Sequence, residues 1–248
     1  MDVIQEYQLA LRRIGILNFE SFELSGEKRF LGRYLRNRPA AVVLDIGANA
    51  GDYSALVLEI EPSARIFAFE PHPATFTLLQ RKLAGTSAKL FNCALGDAGG
   101  VAPLYDYRDA DGSPHASLHR AVIEEIHSKP SVSHSVPVAR LDDLVGELGL
   151  SHINLLKIDT EGHEMAVLKG AEATIGTKRV DAIQFEFNSL HIVTRTFFKD
   201  FWDLLSGYRF YRLLPNGVIQ MQQYNPTLCE IFAFQNIVCV RNDLPEVM

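Results

Sequence analysis

Three short clusters in this chain combine residue types that bind ligands and move protons. The first is Asp45-Ile46-Gly47-Ala48-Asn49-Ala50-Gly51, at the end of the apolar run from Val42 to Ile46. The second is Glu70, which closes the run from Arg65 and is followed by Pro71. The third is Asp159-Thr160-Glu161-Gly162-His163-Glu164, directly after the apolar run from Ile153 to Ile158. In the first cluster, Gly47 and Gly51 let the backbone bend and approach a ligand closely. Asn49 tolerates positive φ better than other non-glycine residues. A dinucleotide site requires G-x-G-x-x-G, which aims a helix N-terminus at pyrophosphate. That spacing is absent, and a carboxylate at Asp45 disfavours pyrophosphate. It suits a cation instead, such as the α-amino group of a methionine-derived ligand. Glu70 can accept both hydroxyls of a ribose. Dinucleotide enzymes share that acid, so only Asp45, the glycine turn and Glu70 together discriminate between ligands.

The third cluster places four ionisable groups within six residues. Asp159, Glu161 and His163 are candidates for removing a proton from a neutral hydroxyl. His163 has the most suitable intrinsic pKa. Glu161 and Glu164 equally fit an acidic cap at the N-terminus of the next helix. Asp159, Glu161 and His163, with Glu186 or Asn188 after a later apolar run, also carry oxygen and nitrogen donors for a divalent metal. Asp159 and Glu186 are the leading metal candidates, although no spacing among them is diagnostic.

Such residues need a scaffold, and the chain supplies one. Short apolar runs at 42–46, 65–70, 89–95, 153–158 and 182–187 alternate with helical periods at about 53–60, 73–85, 164–175 and 196–205. That alternation predicts crossover units and a parallel α/β sheet. Runs at 208–214 and 218–223, separated by Pro215-Asn216-Gly217, predict an antiparallel pair, with one more short strand at 237–240. Residues 1–39 read as an N-terminal helical extension of two short amphipathic helices, and 40–248 as the main domain. Residues 98–137 read as an irregular insert rich in glycine and proline. They hold four of the eight histidines, His115, His119, His127 and His134. Histidines in such a segment are usually solvated, but His115 or His119, near Ser117, could close over a bound molecule.

With 248 residues, 47% hydrophobic and 22% charged, the chain can bury a sizeable core. A formal charge of −6 argues against nucleic acid as a partner. The basic group Lys28, Arg29, Arg33, Arg36 and Arg38 reads as a solvated helix face. Three cysteines, with Cys93 and Cys239 in apolar runs, give no disulfide framework. No secretory leader and no apolar run of membrane-spanning length are visible. A cytoplasmic enzyme without membrane partners is expected. A homo-oligomer built through the N-terminal helices stays open.

The segments VVLDIGANAGDYS, FAFEPHPATFTLLQRKL, NCALGD and LLKIDTEGHEMAVLKGAEATI resemble the FkbM family of methyltransferases. The resemblance runs from about Ala41 to Asn188. It implies a Rossmann-like class I methyltransferase sheet, mostly parallel with an antiparallel C-terminal hairpin and helices on both faces. It also implies S-adenosylmethionine as cofactor and a hydroxyl acceptor on a sugar or natural product. Carried over by position, Asp45, Gly47, Asn49 and Gly51 would line the methionine half of the cofactor. Glu70, with Pro71, would bind the ribose, and Asn92, Cys93 and Ala94 would lie near adenine. Asn92 can equally tie down a local turn. Two other functions compete: a nicotinamide-dependent oxidoreductase, disfavoured by the glycine spacing and Asp45, and a non-catalytic cofactor-binding module, disfavoured by the Asp159 cluster.

Overall fold

A computed structural model describes residues 2–246. In chain order the strands are β1 (Val42–Ile46), β2 (Arg65–Phe69), β3 (Lys89–Phe91), β4 (Ala94–Leu95), β5 (Gly100–Tyr107), β6 (Ser131–Ala139), β7 (Ile153–Ile158), β8 (Val180–Phe187), β9 (Tyr208–Leu214), β10 (Gly217–Met221) and β11 (Gln235–Arg241). The helices are α1 (Val3–Arg13), α2 (Glu27–Tyr34), α3 (Asp52–Ile60), α4 (Pro73–Lys82), α5 (Leu141–Glu147), α6 (Glu164–Lys169), α7 (Glu172–Gly176), α8 (Leu190–Thr194), α9 (Phe198–Leu204) and α10 (Pro226–Cys229).

Eight strands form one sheet in the order β10-β9-β11-β8-β7-β1-β2-β3. The block β3-β2-β1-β7-β8 is parallel. β9 and β10 form the expected antiparallel hairpin. The last strand, β11, inserts between β8 and β9 and is antiparallel to both. Each parallel crossover delivers its strand to the same edge, so Asp45, Glu70 and Asp159 all reach the carboxyl ends of neighbouring strands. In open α/β sheets, ligands bind there.

Alternation along the central strands divides the core. Val42, Leu44, Ile46, Leu156 and Ile158 face one apolar layer, which also contains Phe185, Phe198 and Phe201. Val43 and Leu155 face the other, beneath Phe30, Leu31 and Tyr34 of α2 and Val57 of α3. A period of two then places Asp45 and Lys157 on this second face, and the β1–β7 register makes them direct neighbours. Gln184 is the next partner across the sheet. Three polar residues therefore lie in one row within an apolar sheet, close to its carboxyl edge.

Three expectations need correction. The 89–95 run is not one strand: it breaks at Asn92-Cys93, and Ala94–Leu95 joins a separate sheet of order β4-β6-β5. The 98–137 insert is not irregular at its flanks. β5 and β6 pair antiparallel over eight positions and leave only residues 108–130 as a connection. Pro103 and Pro137 within these strands, together with polar residues on both faces, obscure the alternation. The 164–175 helix is likewise two shorter ones, α6 and α7, broken at Gly170-Ala171. In the N-terminal segment, α2 packs into the core, whereas Val3, Ile4 and Tyr7 of α1 are exposed. Among the described residues, no helix is long and apolar enough to cross a membrane.

Candidate active site

The polar row is the foundation of the site. Asp45 is fully buried. Its Oδ2 accepts from Ser54 Oγ at 2.6 Å, and Lys157 Nζ lies 3.6 Å from Oδ1. Lys157 also donates to Asp159 Oδ2 at 3.0 Å and lies over the Tyr53 ring. Burial pushes its ammonium down, but Asp159, Asp45 and Glu27 outweigh that, and its pKa lies above the usual lysine range. Tyr53 donates to Gln184, and Gln184 donates to Glu27 of α2. Burial raises the Glu27 carboxyl. A lysine in a buried strand is thus held charged by carboxylates above and beside it.

The turn after β1 is shaped by backbone. Gly47 has φ +76°, and a Cβ there would lie 1.7 Å from the Asp159 carbonyl oxygen. Glycine is therefore obligatory where the β1 and β7 turns touch. Gly51 has φ +90° and abuts Leu79 of α4. Asn49, at φ +48°, donates its backbone N–H to Glu70 Oε2 at 2.9 Å, and His72 N–H donates to Glu70 Oε1 at 2.7 Å. Burial nevertheless outweighs these two bonds and raises the Glu70 carboxyl to about 7. Asn92 Nδ2 donates to the carbonyls of Glu70 and Pro71, which fixes the turn after β2. Gly47, Asn49, Phe69, Glu70, Cys93 and Leu95 line a largely apolar cavity, closed on its far side by Leu104 and Leu118.

Beyond β7 the chain turns tightly. Glu161 adopts φ +51°. Glu164 stabilises the turn: its Oε1 accepts from the N–H groups of Thr160 and Gly162 and from the Thr160 hydroxyl. His191 Nε2 lies 3.1 Å from its Oε2. Burial would raise the Glu164 carboxyl, but the His191 contact and the backbone donors prevail and hold it near 2. Asp159 lines three adjoining cavities: the apolar one, an acidic one beside Glu27, Lys157 and Glu186, and a third walled by Phe19, Phe232 and Phe234 with His115, Glu161 and Asn188. In the acidic cavity, burial and the charges of Asp159, Glu161 and Glu27 push the Glu186 carboxyl well up. That site favours a bound cation.

A family model described as the Methyltransferase FkbM domain matches residues 45–211. The chain belongs to the FkbM methyltransferase family. It is therefore an S-adenosylmethionine-dependent methyltransferase, and its sheet is the Rossmann-like class I methyltransferase sheet. The 31-O-demethyl-FK506 methyltransferase FkbM of Streptomyces tacrolimicus is 31% identical over 182 residues, covering 60% of this chain and 70% of its own. The 2-O-methyltransferase NoeI of Sinorhizobium fredii is 27% identical, covering 74% and 79%. The hexuronic acid methyltransferase AglP of Haloferax volcanii is 28% identical, covering 68% and 64%. Among solved structures, precorrin-6y C5,15-methyltransferase from Geobacter metallireducens aligns with 92% of this chain and 97% of its own, at 14% identity and a TM-score of 0.44.

Within this FkbM domain, Gly47, Asn49, Glu70, Pro71 and Ala94 line the apolar cavity. Its walls suit an adenine ring, and a buried carboxylate with one backbone donor on each oxygen keeps lone pairs free for ribose hydroxyls. Asp45, Gly51 and Asn92 are not among the lining residues. Asp45 is engaged below the turn with Ser54 and Lys157, Gly51 starts α3, and Asn92 fulfils its local-turn alternative. His163 lines the apolar cavity rather than the third one. Its Nδ1 is 3.0 Å from His119 Nε2, and burial, then His119, lowers its pKa to about 4. It stays neutral at physiological pH and is a weak base. Asp159 already holds Lys157, so the expected metal pair Asp159 and Glu186 has an ammonium ion as a competitor. The four histidines of the 98–137 insert each have a side-chain partner and stay partly exposed.

Lys157, Ser54 and Glu27 escaped the sequence reading. Lys157 carried a visible signal, one cation inside an apolar buried strand. Glu27 carried none, because only tertiary packing brings it to the sheet edge.

Proposed function

We propose that this methyltransferase methylates a hydroxyl group of a sugar or natural-product small molecule. One observation carries the reading: Asp159 is shared by the apolar cavity, the acidic cavity and the aromatic-walled third cavity. A group at that junction meets both cofactor and acceptor. The relatives' names point the same way, since they specify 31-O-demethyl-FK506, a 2-O-methyltransferase and a hexuronic acid.

When bound, S-adenosylmethionine supplies an electrophilic methyl group and departs as S-adenosylhomocysteine. Glu70 accepts the ribose hydroxyls, while Phe69, Cys93 and Leu95 exclude water around adenine. The carboxyl oxygens of Glu27 and Glu186 accept hydrogen bonds from the methionine amino group, the part first assigned to Asp45. On the acceptor side, Asn188 and Glu161 offer hydrogen bonds, and Phe232 and Phe234 offer apolar faces to a ring. Asp159, fixed by Lys157, accepts the acceptor's O–H hydrogen bond and orients a lone pair for in-line transfer. As the new C–O bond forms, that oxygen gains positive charge and becomes strongly acidic. A carboxylate paired with a lysine at 3.0 Å is then a sufficient base.

The test is incubation with methyl-labelled S-adenosylmethionine and a panel of hexuronic acids, amino-sugar oligosaccharides and polyketide alcohols. Label in an alkali-stable O-methyl product supports the reading. Label recovered on nitrogen or carbon overturns it.

A further inference from the structure

The third cavity holds two histidines that methyl transfer as described does not use, beside Glu161, which it does. His115, His127 and Glu161 each present one potential ligand atom, and these atoms lie within 4.8 Å of one another. We propose that this trio binds a first-row divalent transition-metal ion on the acceptor side of the crevice. The inference rests on the third cavity being the acceptor site.

Four observations carry it. His115 Nδ1 is 3.3 Å from Glu161 Oε1, the spacing of two donors around one ion with bonds of about 2.1 Å. His127 Nδ1 is 2.9 Å from the Tyr107 hydroxyl, whereas its Nε2 is buried and, among the described residues, has no hydrogen-bond partner. A buried, unpaired ring nitrogen is costly unless something binds it, and a second partner on the other ring nitrogen is how metal-ligating imidazoles are oriented. The backbone also presents Glu161 deliberately: it holds φ +51°, and its carbonyl accepts from Ser117 Oγ at 2.7 Å. Finally, the 122–127 turn ends in a five-residue hydrogen bond, His127 N–H to Val122 O, an expanded helical turn that recurs at functional sites.

The other histidine cluster, His72, Asp111 and His134, shows what a satisfied trio looks like. His72 Nδ1 accepts from Ala74 N–H, so its Nε2 carries the proton and donates to Asp111 at 3.0 Å. His134 Nε2 lies 2.8 Å from the same carboxylate oxygen. No ring nitrogen of His72 is left for an ion.

Two imidazoles and one carboxylate favour zinc, manganese or iron-type ions over magnesium or calcium. Positive charge beside the acceptor oxygen would lower the pKa of its hydroxyl and ease proton transfer to Asp159. The methyl group still moves from sulfonium to oxygen, with the S–CH₃ pair remaining on sulfur.

The experiment is equilibrium dialysis of the chelator-treated full chain against Zn²⁺, without acceptor, read by metal analysis, with Co²⁺ absorption as a geometric check. One equivalent is expected. His127→Ala should weaken binding at least 100-fold and Tyr107→Phe about tenfold; His134→Ala and the distant His152→Ala should leave it unchanged. S-adenosylhomocysteine binding by each variant reports whether it has folded, and His115→Asn replaces His127→Ala if that one has not. Binding that survives loss of His127 or His115, or that is lost with His134→Ala, overturns the proposal, as does no binding below millimolar Zn²⁺. Metal binding is read without turnover, so its failure leaves the O-methylation reading intact. An enzyme that binds zinc but methylates no hydroxyl contradicts only that reading.

Discussion

The two sides of the crevice that meet at Asp159 are built differently. On the cofactor side, backbone does the positioning: Gly47 lies against the Asp159 carbonyl, and two N–H groups hold the Glu70 carboxylate. On the proposed acceptor side, side chains from distant segments do it: His115 and His127 from the 108–130 connection, Glu161 after β7, Asn188 after β8 and Phe232 before β11. Backbone geometry fixes a site that serves one invariant ligand. Side chains on a connection between two strands can change without disturbing the sheet, which suits a variable acceptor.

The largest effect should come from challenging the backbone side. Gly47→Ala forces a Cβ into a carbonyl and a left-handed φ onto alanine. It should cost about 3 kcal/mol or more in stability and abolish S-adenosylhomocysteine binding, checked by urea unfolding and calorimetry. Glu164→Gln comes next. It uncouples a buried pair with His191 and weakens the turn that presents Asp159, with an expected loss of about 3 kcal/mol in the same unfolding assay.

These expectations mark where the chain was readable before folding. The ends of β1 and β7 were legible because a buried parallel strand is a continuous apolar run, and the charged turn after it follows at once. The Asp45 role was misread because period-two alternation places it beneath the turn, next to Lys157, a relation that requires the β1–β7 register. Asn92 looked like an adenine contact because it follows a strand, yet its amide serves two carbonyls. The β5–β6 hairpin was hidden by its prolines, and with it the route that brings His115 and His127 to Glu161.

Glu70 offers a graded test. Its carboxyl sits near 7 in the free protein, and ribose hydroxyls are accepted by the charged form. Binding should therefore strengthen as pH rises through 7 and weaken as protonation must be reversed below it. The affinity for S-adenosylhomocysteine should fall about tenfold between pH 8 and pH 6. The dependence should vanish in Glu70→Gln, and a flat profile in the parent protein would remove Glu70 from the ribose contact. The smallest effect is expected at Asp111, half-exposed, where two imidazoles hold the connection that carries Ser113 and Pro114 over the apolar cavity. Asp111→Ala should cost about 0.5–1 kcal/mol, seen as a few-fold weaker cofactor affinity with a normal unfolding transition.

The division of labour at Asp159 is tested most directly by titrating S-adenosylhomocysteine into Glu70→Ala and Asp159→Asn, side by side with the parent protein. Loss of hydrogen bonds to a charged group predicts about 30- to 100-fold weaker binding for Glu70→Ala. Asp159→Asn, which keeps its shape, should bind within about threefold of the parent while methyl transfer falls by about 10²–10⁴. The reverse pattern, with Asp159→Asn losing the cofactor and Glu70→Ala keeping it, would contradict the account.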